Sequence, residues 1–147
     1  MMVDLSHKML TRVALLTFRP EPCFMANRLP RKDVYAAMDF SGDVSGCYLM
    51  GVSTDAQARI ARAILKEANV DEEPKEVLDD TVMEFINVVC GNIAAKAAQL
   101  GKSIEIAPPR IVEASAGIVP PPDHLCLCFP ACLAEGDHVE LAVFIKE

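Results

Sequence analysis

The feature that most constrains the fold is a long helical pattern over residues 77–100. Proline is disfavoured inside a helix and glycine commonly follows its last turn, and this pattern is bounded by Pro74 and Gly101. Apolar residues recur within it at helical spacing, at Leu78, Val82, Phe85, Val89, Ile93 and Leu100. We therefore expect one face of this helix to pack on a sheet.

Strand-like segments lie on both sides of this helix. Residues 34–40 alternate loosely and residues 47–52 are apolar, with glycine and serine between them, which predicts a β-hairpin. After the helix, short apolar segments separated by proline and glycine predict further strands that end in a second hairpin. These segments are residues 104–106, 110–114, 124–129 and 138–145.

Two more helices are predicted. Apolar residues at helical spacing over residues 3–18 indicate a first helix that stops before Pro20. Residues 54–69 indicate a second helix, because Thr54 and Gln57 have the spacing of a capping box, with threonine at the cap and glutamine three residues later.

The same order of elements, a helix followed by strands and a hairpin, thus occurs once before Thr54 and once after Leu100. It looks like an internal duplication whose copies have diverged. Apolar residues make up 52% of the chain and aromatic residues only 5%, so the core must be built mainly from aliphatic side chains. We predict an α+β fold, in which an antiparallel sheet carries long helices on one face, within a single domain over residues 1–147.

Charge and hydropathy exclude several classes of partner. The formal net charge is −7, so the overall field repels nucleic acid and anionic lipid surfaces. No apolar run approaches the roughly 20 residues that span a bilayer, and the first residues lack the cationic and apolar regions of a signal peptide. We expect a cytoplasmic protein that binds neither nucleic acid nor membrane.

The six cysteines are interpreted as reduced core residues, since an aliphatic domain of this size does not need disulfides for stability. Cys126 and Cys128 lie two residues apart in a predicted strand, so their side chains share one face, and Cys132 follows nearby. The spacing Cys-x-Cys-x-x-x-Cys is not a usual zinc motif. No metal site is predicted.

The outer face of the long helix has an unusual composition. Asp80, Glu84, Asn87 and Gly91 form a stripe opposite the apolar face, which small residues continue at Ala94, Ala95 and Ala98. An exposed helix face normally carries long charged side chains in pairs, whereas this stripe lacks lysine and arginine and then becomes smooth. The spacing by itself is compatible with a surface for a partner and with an ordinary solvated face.

The stripe resembles the signature D/S-x-x-x-E-x-x-N-x-x-x-G of the CheC, CheX and FliY phosphatases. Residues 40–49 also resemble the first hairpin of this family, and Pro108 and Pro109 lie near a proline of its pattern. Members of the CheC type usually carry the signature on two helices, but neither residues 3–18 nor the helix at Thr54 contains Glu-x-x-Asn. The resemblance is therefore CheX-like, and it implies a homodimer formed by pairing of edge strands.

The resemblance implies hydrolysis of the aspartyl phosphate of a CheY-like response regulator in chemotaxis or motility signalling. Asn87 aligns with the residue that orients the attacking water, and Glu84 with the acid that pairs with a lysine of the receiver. Asp80 and Gly91 align with positions that shape the contact with this partner. The chain then has no cofactor of its own, because the receiver supplies the Mg²⁺.

Two other function classes remain open from the sequence. The same helix would serve a module that binds a receiver without catalysis, or an interaction domain of a flagellar-switch type assembly. A small-molecule enzyme has less support, since the sequence has neither a glycine-rich phosphate loop nor the G-x-S-x-G motif.

Overall fold

The computed structural model of the protein describes residues 18–20, 24–65, 75–112, 118–133 and 138–146. In these ranges the chain forms nine strands and two helices. They are β1 Phe18–Pro20, β2 Phe24–Met25, β3 Val34–Gly42, β4 Gly46–Val52, α1 Thr54–Leu65, α2 Lys75–Gln99, β5 Ile104–Ile106, β6 Arg110–Val112, β7 His124–Cys128, β8 Ala131–Leu133 and β9 His138–Lys146.

The described strands form one sheet, and all of its strand pairs are antiparallel. β3, β4 and β9 form its centre, and β5 and β6 both pair with the outer side of β3. On the far side, β9 pairs with β7 over its second half and with β8 at its start, and β2 and β1 follow as their outer neighbours. The predicted α+β class is confirmed. The two last predicted strands, β7 and β9, do pair, but β8 lies in the connection between them, so they do not form a simple hairpin.

Helix α2 covers one face of the sheet and contacts β3, β4, β5 and β6. Its inner residues and one side of each central strand form the main core, which includes Val82, Phe85, Ile86, Val89, Met38, Tyr48, Met50 and Leu141. The other sides of the same strands belong to a second buried cluster with Tyr35, Ala37, Leu49 and Phe144. The central strands are thus buried on both faces, which explains why their sequences are nearly all apolar.

The N-terminus of α1 differs from the predicted capping box. Ser53 is the cap, because its Oγ accepts a hydrogen bond from the Ala56 amide at 3.1 Å. Thr54 instead donates from its amide and its hydroxyl to Asp33 Oδ2, and these two bonds lower the pKa of that carboxyl. The side chain of Gln57 turns away from the cap and is buried against α2.

The C-terminus of α2 is closed by Gly101, which adopts a left-handed φ of 81°. Gly101 donates to the Ala98 carbonyl and Lys102 donates to the Ala97 carbonyl, the pair of bonds of a Schellman motif. Leu100 lies in this turn and is 64% exposed, so its predicted place on the apolar face is wrong. The other predicted members of that face, from Leu78 to Ile93, are buried.

Several sequence-based predictions fall partly outside the described residues. Residues 3–17 of the predicted first helix lie outside the described residues, and Phe18 belongs to β1. The predicted second helix is described as far as Leu65, and residues 66–74 lie outside the described residues. The internal duplication stays a prediction.

Cys47, Cys90, Cys126 and Cys128 carry free thiols. Within the described part of the chain, no helix is long and apolar enough to span a membrane.

Candidate functional site

The rotation of α2 about its axis is set by its buried face. Phe85, Ile86 and Val89 are fully buried in the main core, and turning the helix would bring these side chains into water at a cost of about 2 kcal/mol each. The intervening residues Glu84 and Asn87 are therefore held outward, and both are exposed. The sheet thus decides which way the two polar side chains point.

Glu84 and Asn87 are neighbours on the helix surface, where residues three apart have Cβ atoms about 5–6 Å from each other. Among the described residues, neither side chain has a hydrogen-bond or ion-pair partner. Asp80, one turn before Glu84, is also exposed. A carboxylate and an amide are therefore available side by side to groups of another molecule.

A second asparagine on α2, Asn92, differs from Asn87 in its hydrogen bonding. Asn92 is exposed, but its Nδ2 donates to the Val88 carbonyl at 2.8 Å, a bond within the helix itself. Asn87 makes no such bond within the described residues. Of the two amides, Asn87 is the one whose hydrogen-bonding groups are not already used by the helix.

Lys75, the first residue of α2, is paired with a carboxylate of the same helix. Lys75 Nζ lies 3.0 Å from both carboxylate oxygens of Asp79, and the buried Gln57 donates to Asp79 Oδ1 at 2.7 Å. Asp79 therefore ties α1 to α2 and also pairs with Lys75. The i,i+4 pair was visible in the sequence, whereas the bond from Gln57 depends on how the two helices pack.

Gly91 lies one turn beyond Asn87 on the same face and is half-buried. A Cβ atom built at Gly91 would meet no described atom within 4 Å apart from the adjoining helix backbone, and the φ of Gly91 is not in the left-handed region. Neither packing nor backbone conformation therefore requires glycine here. Ala95 and Ala98 continue the face and are exposed, so the surface beyond Asn87 has little side-chain bulk.

Cys90 lies behind this face, in the core, where its thiol is a poor nucleophile. Burial raises the pKa of its thiol to about 12, so the side chain is protonated at neutral pH. Within the described ranges, no group of three or more His, Cys, Asp or Glu side chains is placed to hold a metal ion. The chemistry that this face offers is hydrogen bonding and charge from Asn87 and Glu84.

The predicted stripe is thus one continuous outer face of α2. Asp80, Glu84 and Asn87 are exposed, and Gly91 is half-buried with open space above it. A helix surface does not enclose a small molecule, since no walls surround the polar groups. It suits a macromolecular partner that brings its own cleft and lies against the smooth end of the face.

Comparison with known proteins identifies the family and the fold. Residues 34–132 match the family model described as chemotaxis phosphatase CheX. The fold is similar to that of the chemotaxis protein CheX from Desulfovibrio desulfuricans, with a TM-score of 0.86, 16% sequence identity, and coverage of 99% of this chain and 96% of that chain. No curated protein sequence matches the chain.

Two further solved structures are similar. A chain in the CheX-CheY-BeF3-Mg²⁺ complex from Borrelia burgdorferi gives a TM-score of 0.84 at 20% identity, with coverage of 99% and 96%. FliY from Thermotoga maritima gives a TM-score of 0.68 at 14% identity, with coverage of 99% and 84%. At such low identities the structural similarity establishes the fold, and the family match confirms the resemblance predicted from the motif.

Proposed function

Because the chain belongs to the CheX family of chemotaxis phosphatases, we propose that it hydrolyses the aspartyl phosphate of a CheY-like receiver. In this proposal Asn87 orients the attacking water, and Glu84 pairs with a lysine of the receiver. The observation that carries it is the exposure of these two side chains, without described partners, on a helix face that the core holds outward.

The proposed reaction needs few catalytic groups from the phosphatase. Phosphoryl transfer passes through a loose transition state, so catalysis is mainly positioning and stabilisation of charge. The side-chain carbonyl oxygen of Asn87 accepts a hydrogen bond from the water, which leaves a water lone pair directed at phosphorus. The water oxygen forms the new bond to phosphorus, the bond to the aspartyl oxygen breaks, and the aspartate and inorganic phosphate are the products.

Glu84 contributes charge and orientation. Its carboxylate is suited to an ammonium group of the partner, because it is exposed and has no ion-pair partner among the described residues. A charge-assisted bond enclosed by two proteins is stronger than the same bond in water. The receiver supplies the Mg²⁺, so the chain is proposed to work without a cofactor of its own.

The choice of partner is supported by the complex of a similar CheX protein with CheY. The smooth surface beyond Asn87 is consistent with a protein partner, since Ala95 and Ala98 leave room for a close approach. With a CheY-like receiver as its partner, the chain is proposed to act in chemotaxis or motility signalling.

The first test measures the decay of a phosphorylated CheY-like receiver in Mg²⁺, alone and with the chain. We expect faster decay with the wild type, and about tenfold less acceleration with Glu84→Gln, which removes the charge but keeps the shape. Glu105→Gln, at an exposed carboxylate on β5, is the control and should be unchanged. Binding without accelerated decay would instead identify a non-catalytic receiver-binding or flagellar-switch-type module.

We also propose that the chain is a homodimer, as the CheX-like resemblance implies. Among the described strands, β1, β2, β5 and β6 each pair with one neighbouring strand only. Phe24 and Met25 of β2 are about half exposed, which makes β2 the most apolar of these edges whose side chains are described. Sedimentation of the wild type should give a dimer mass that Phe24→Asp shifts toward the monomer. A monomeric wild type would contradict the proposal.

A further inference from the structure

An apolar surface lies beside α2, at the edge of the sheet formed by β5 and β6. Ile106 and Ile111 are 37% and 36% exposed, and Ile104 is half-buried. Ile106 pairs with Phe40 and Ile111 with Ala36, two residues whose side chains belong to the main core. Paired residues of antiparallel strands point to the same face, and so do residues two apart in one strand. All three isoleucines, here termed the isoleucine edge, therefore lie on the side of the sheet that α2 covers.

The isoleucine edge adjoins the flank of α2 that carries Asn87. Cys90 of α2 lines a cavity of about 10 Å³ together with Ile104 and Ile106 of the edge. Cys90 follows Asn87 by three residues, so the two are neighbours on the helix. The surface that presents Asn87 therefore continues past Cys90 onto the isoleucine edge.

The outer face of α2 is too small to hold a protein partner by itself. From Asp80 to Ala98 the helix rises about 27 Å, and at about 10 Å across it offers about 300 Å². Specific protein–protein interfaces bury about 800 Å² on each partner. A receiver whose active site lies over Asn87 must therefore also contact surface beside the helix.

The described surfaces beside α2 differ in polarity. Apart from the central strands, α2 contacts α1, β5 and β6. Among the described side chains of α1, the exposed ones are polar, namely Thr54, Asp55 and Arg62. Glu105 of β5 and Arg110 of β6 alternate with the isoleucines and so point to the opposite face of the sheet. The isoleucine edge is thus the apolar surface next to the polar stripe, and the buried centre of an interface is depleted in charge.

The backbone of this edge does not favour the addition of another strand. Pro108 and Pro109, between β5 and β6, have no N–H group to donate. The amide of Ala107 donates inward, to the Asp39 carbonyl at 2.9 Å. An edge interrupted in this way blocks pairing with a strand of a second copy and leaves contact through side chains, the way in which a folded partner packs.

We propose that the isoleucine edge is a second contact surface for the CheY-like receiver, on which an apolar patch beside the receiver's active site packs against Ile106 and Ile111. This inference rests on the proposed function. It assigns affinity for the receiver to the isoleucine edge and leaves the chemical step with Asn87 and Glu84. Changes at the edge should therefore alter how much receiver is needed, and the rate at saturation should stay the same.

Dephosphorylation by the full chain at increasing receiver concentration tests this surface. Ile106→Asp should raise the half-saturating concentration at least tenfold and leave the saturated rate unchanged, because it places a charge in an apolar contact. Glu105→Gln is the matched control, since it changes the charge by the same amount on the opposite face of β5 and should alter neither value. Unchanged half-saturation in Ile106→Asp, or an equal rise in Glu105→Gln, would overturn the proposal.

A gentler variant guards against a folding defect in Ile106→Asp. Ile106→Thr keeps the β-branched shape that suits a strand and removes apolar contact area. It should raise the half-saturating concentration at least threefold, in line with about 0.8 kcal/mol for each buried methylene group. Wild-type half-saturation in this variant would count against the proposal even if Ile106→Asp were unfolded.

A second measurement uses the wild-type chain alone. Hydroxyl-radical labelling, mapped by mass spectrometry, should show that a receiver loaded with BeF₃⁻ and Mg²⁺ protects Ile106 and Ile111. Phe24 and Met25, exposed on β2, should be labelled equally with and without the receiver. Fast decay with unprotected isoleucines would overturn this inference alone. A wild type that neither binds the receiver nor accelerates its decay would contradict the proposed function, and this inference with it.

Discussion

Replacing Asn87 with alanine should lower the acceleration of receiver dephosphorylation by a factor on the order of 10²–10³, the usual cost of removing one positioned catalytic group. The variant keeps the carboxylate of Glu84 and the smooth surface beyond it, so its binding to the receiver should change little. The free energy of unfolding should stay the same or rise slightly, because Asn87 is exposed and alanine favours a helix. The measurements are single-turnover decay, receiver binding and chemical denaturation.

Asn92→Ala is the matched control for this experiment. It removes the same amide from the same helix, but the Asn92 side chain bonds to the Val88 carbonyl and lies off the stripe. Decay should therefore remain fast in Asn92→Ala. Equal activity in wild type and Asn87→Ala would exclude Asn87 as the residue that orients the water, even if the chain proved to be a phosphatase.

Replacing Gly91 with alanine should have opposite effects on stability and on activity. Glycine within a helix costs about 1 kcal/mol relative to alanine, and a Cβ here meets no described atom within 4 Å apart from the adjoining helix backbone. The free energy of unfolding should therefore rise by up to about 1 kcal/mol. If the receiver lies directly against this turn, the extra methyl group creates overpacking worth about 1–3 kcal/mol, or roughly a 5- to 150-fold loss in affinity.

The two readouts are thermal or chemical unfolding and the receiver concentration that half-saturates the decay rate. Gly91→Leu should strengthen the loss of affinity, because the obstruction grows while the helix still tolerates the side chain. Lys96→Ala, an exposed change on another side of α2, should leave both the affinity and the decay unchanged. A Gly91→Ala variant that is more stable and fully active would show that no partner approaches the helix at this turn.

Local periodicity was sufficient to predict the outer face of α2. Asp80, Glu84 and Asn87 were predicted opposite the apolar residues and are exposed, because helical geometry places every residue at a fixed angle from its neighbours. Their proposed roles stay predictions that come from the family resemblance. The prediction failed at Leu100, because the regular helix ends at Gln99 and the left-handed turn at Gly101 follows.

The helix cap shows what neighbouring residues alone cannot decide. Ser53 and Thr54 are both good caps, and the outcome depends on Asp33, which is 21 residues earlier and takes both hydrogen bonds of Thr54. The same holds for Gln57, whose buried amide meets Asp79 only because α1 and α2 pack together.

The sequence by itself determined the α+β class, the long helix and the row of polar and small residues on its outer side. These features depend on contacts among residues close in the chain, and a repeating pattern records them directly. The tertiary structure alone decided the strand order around β9, the second buried face and the hydrogen bond from Gln57 to Asp79. Strand order and burial arise from segments distant in the chain, whose pairing is set by the packing of the whole core.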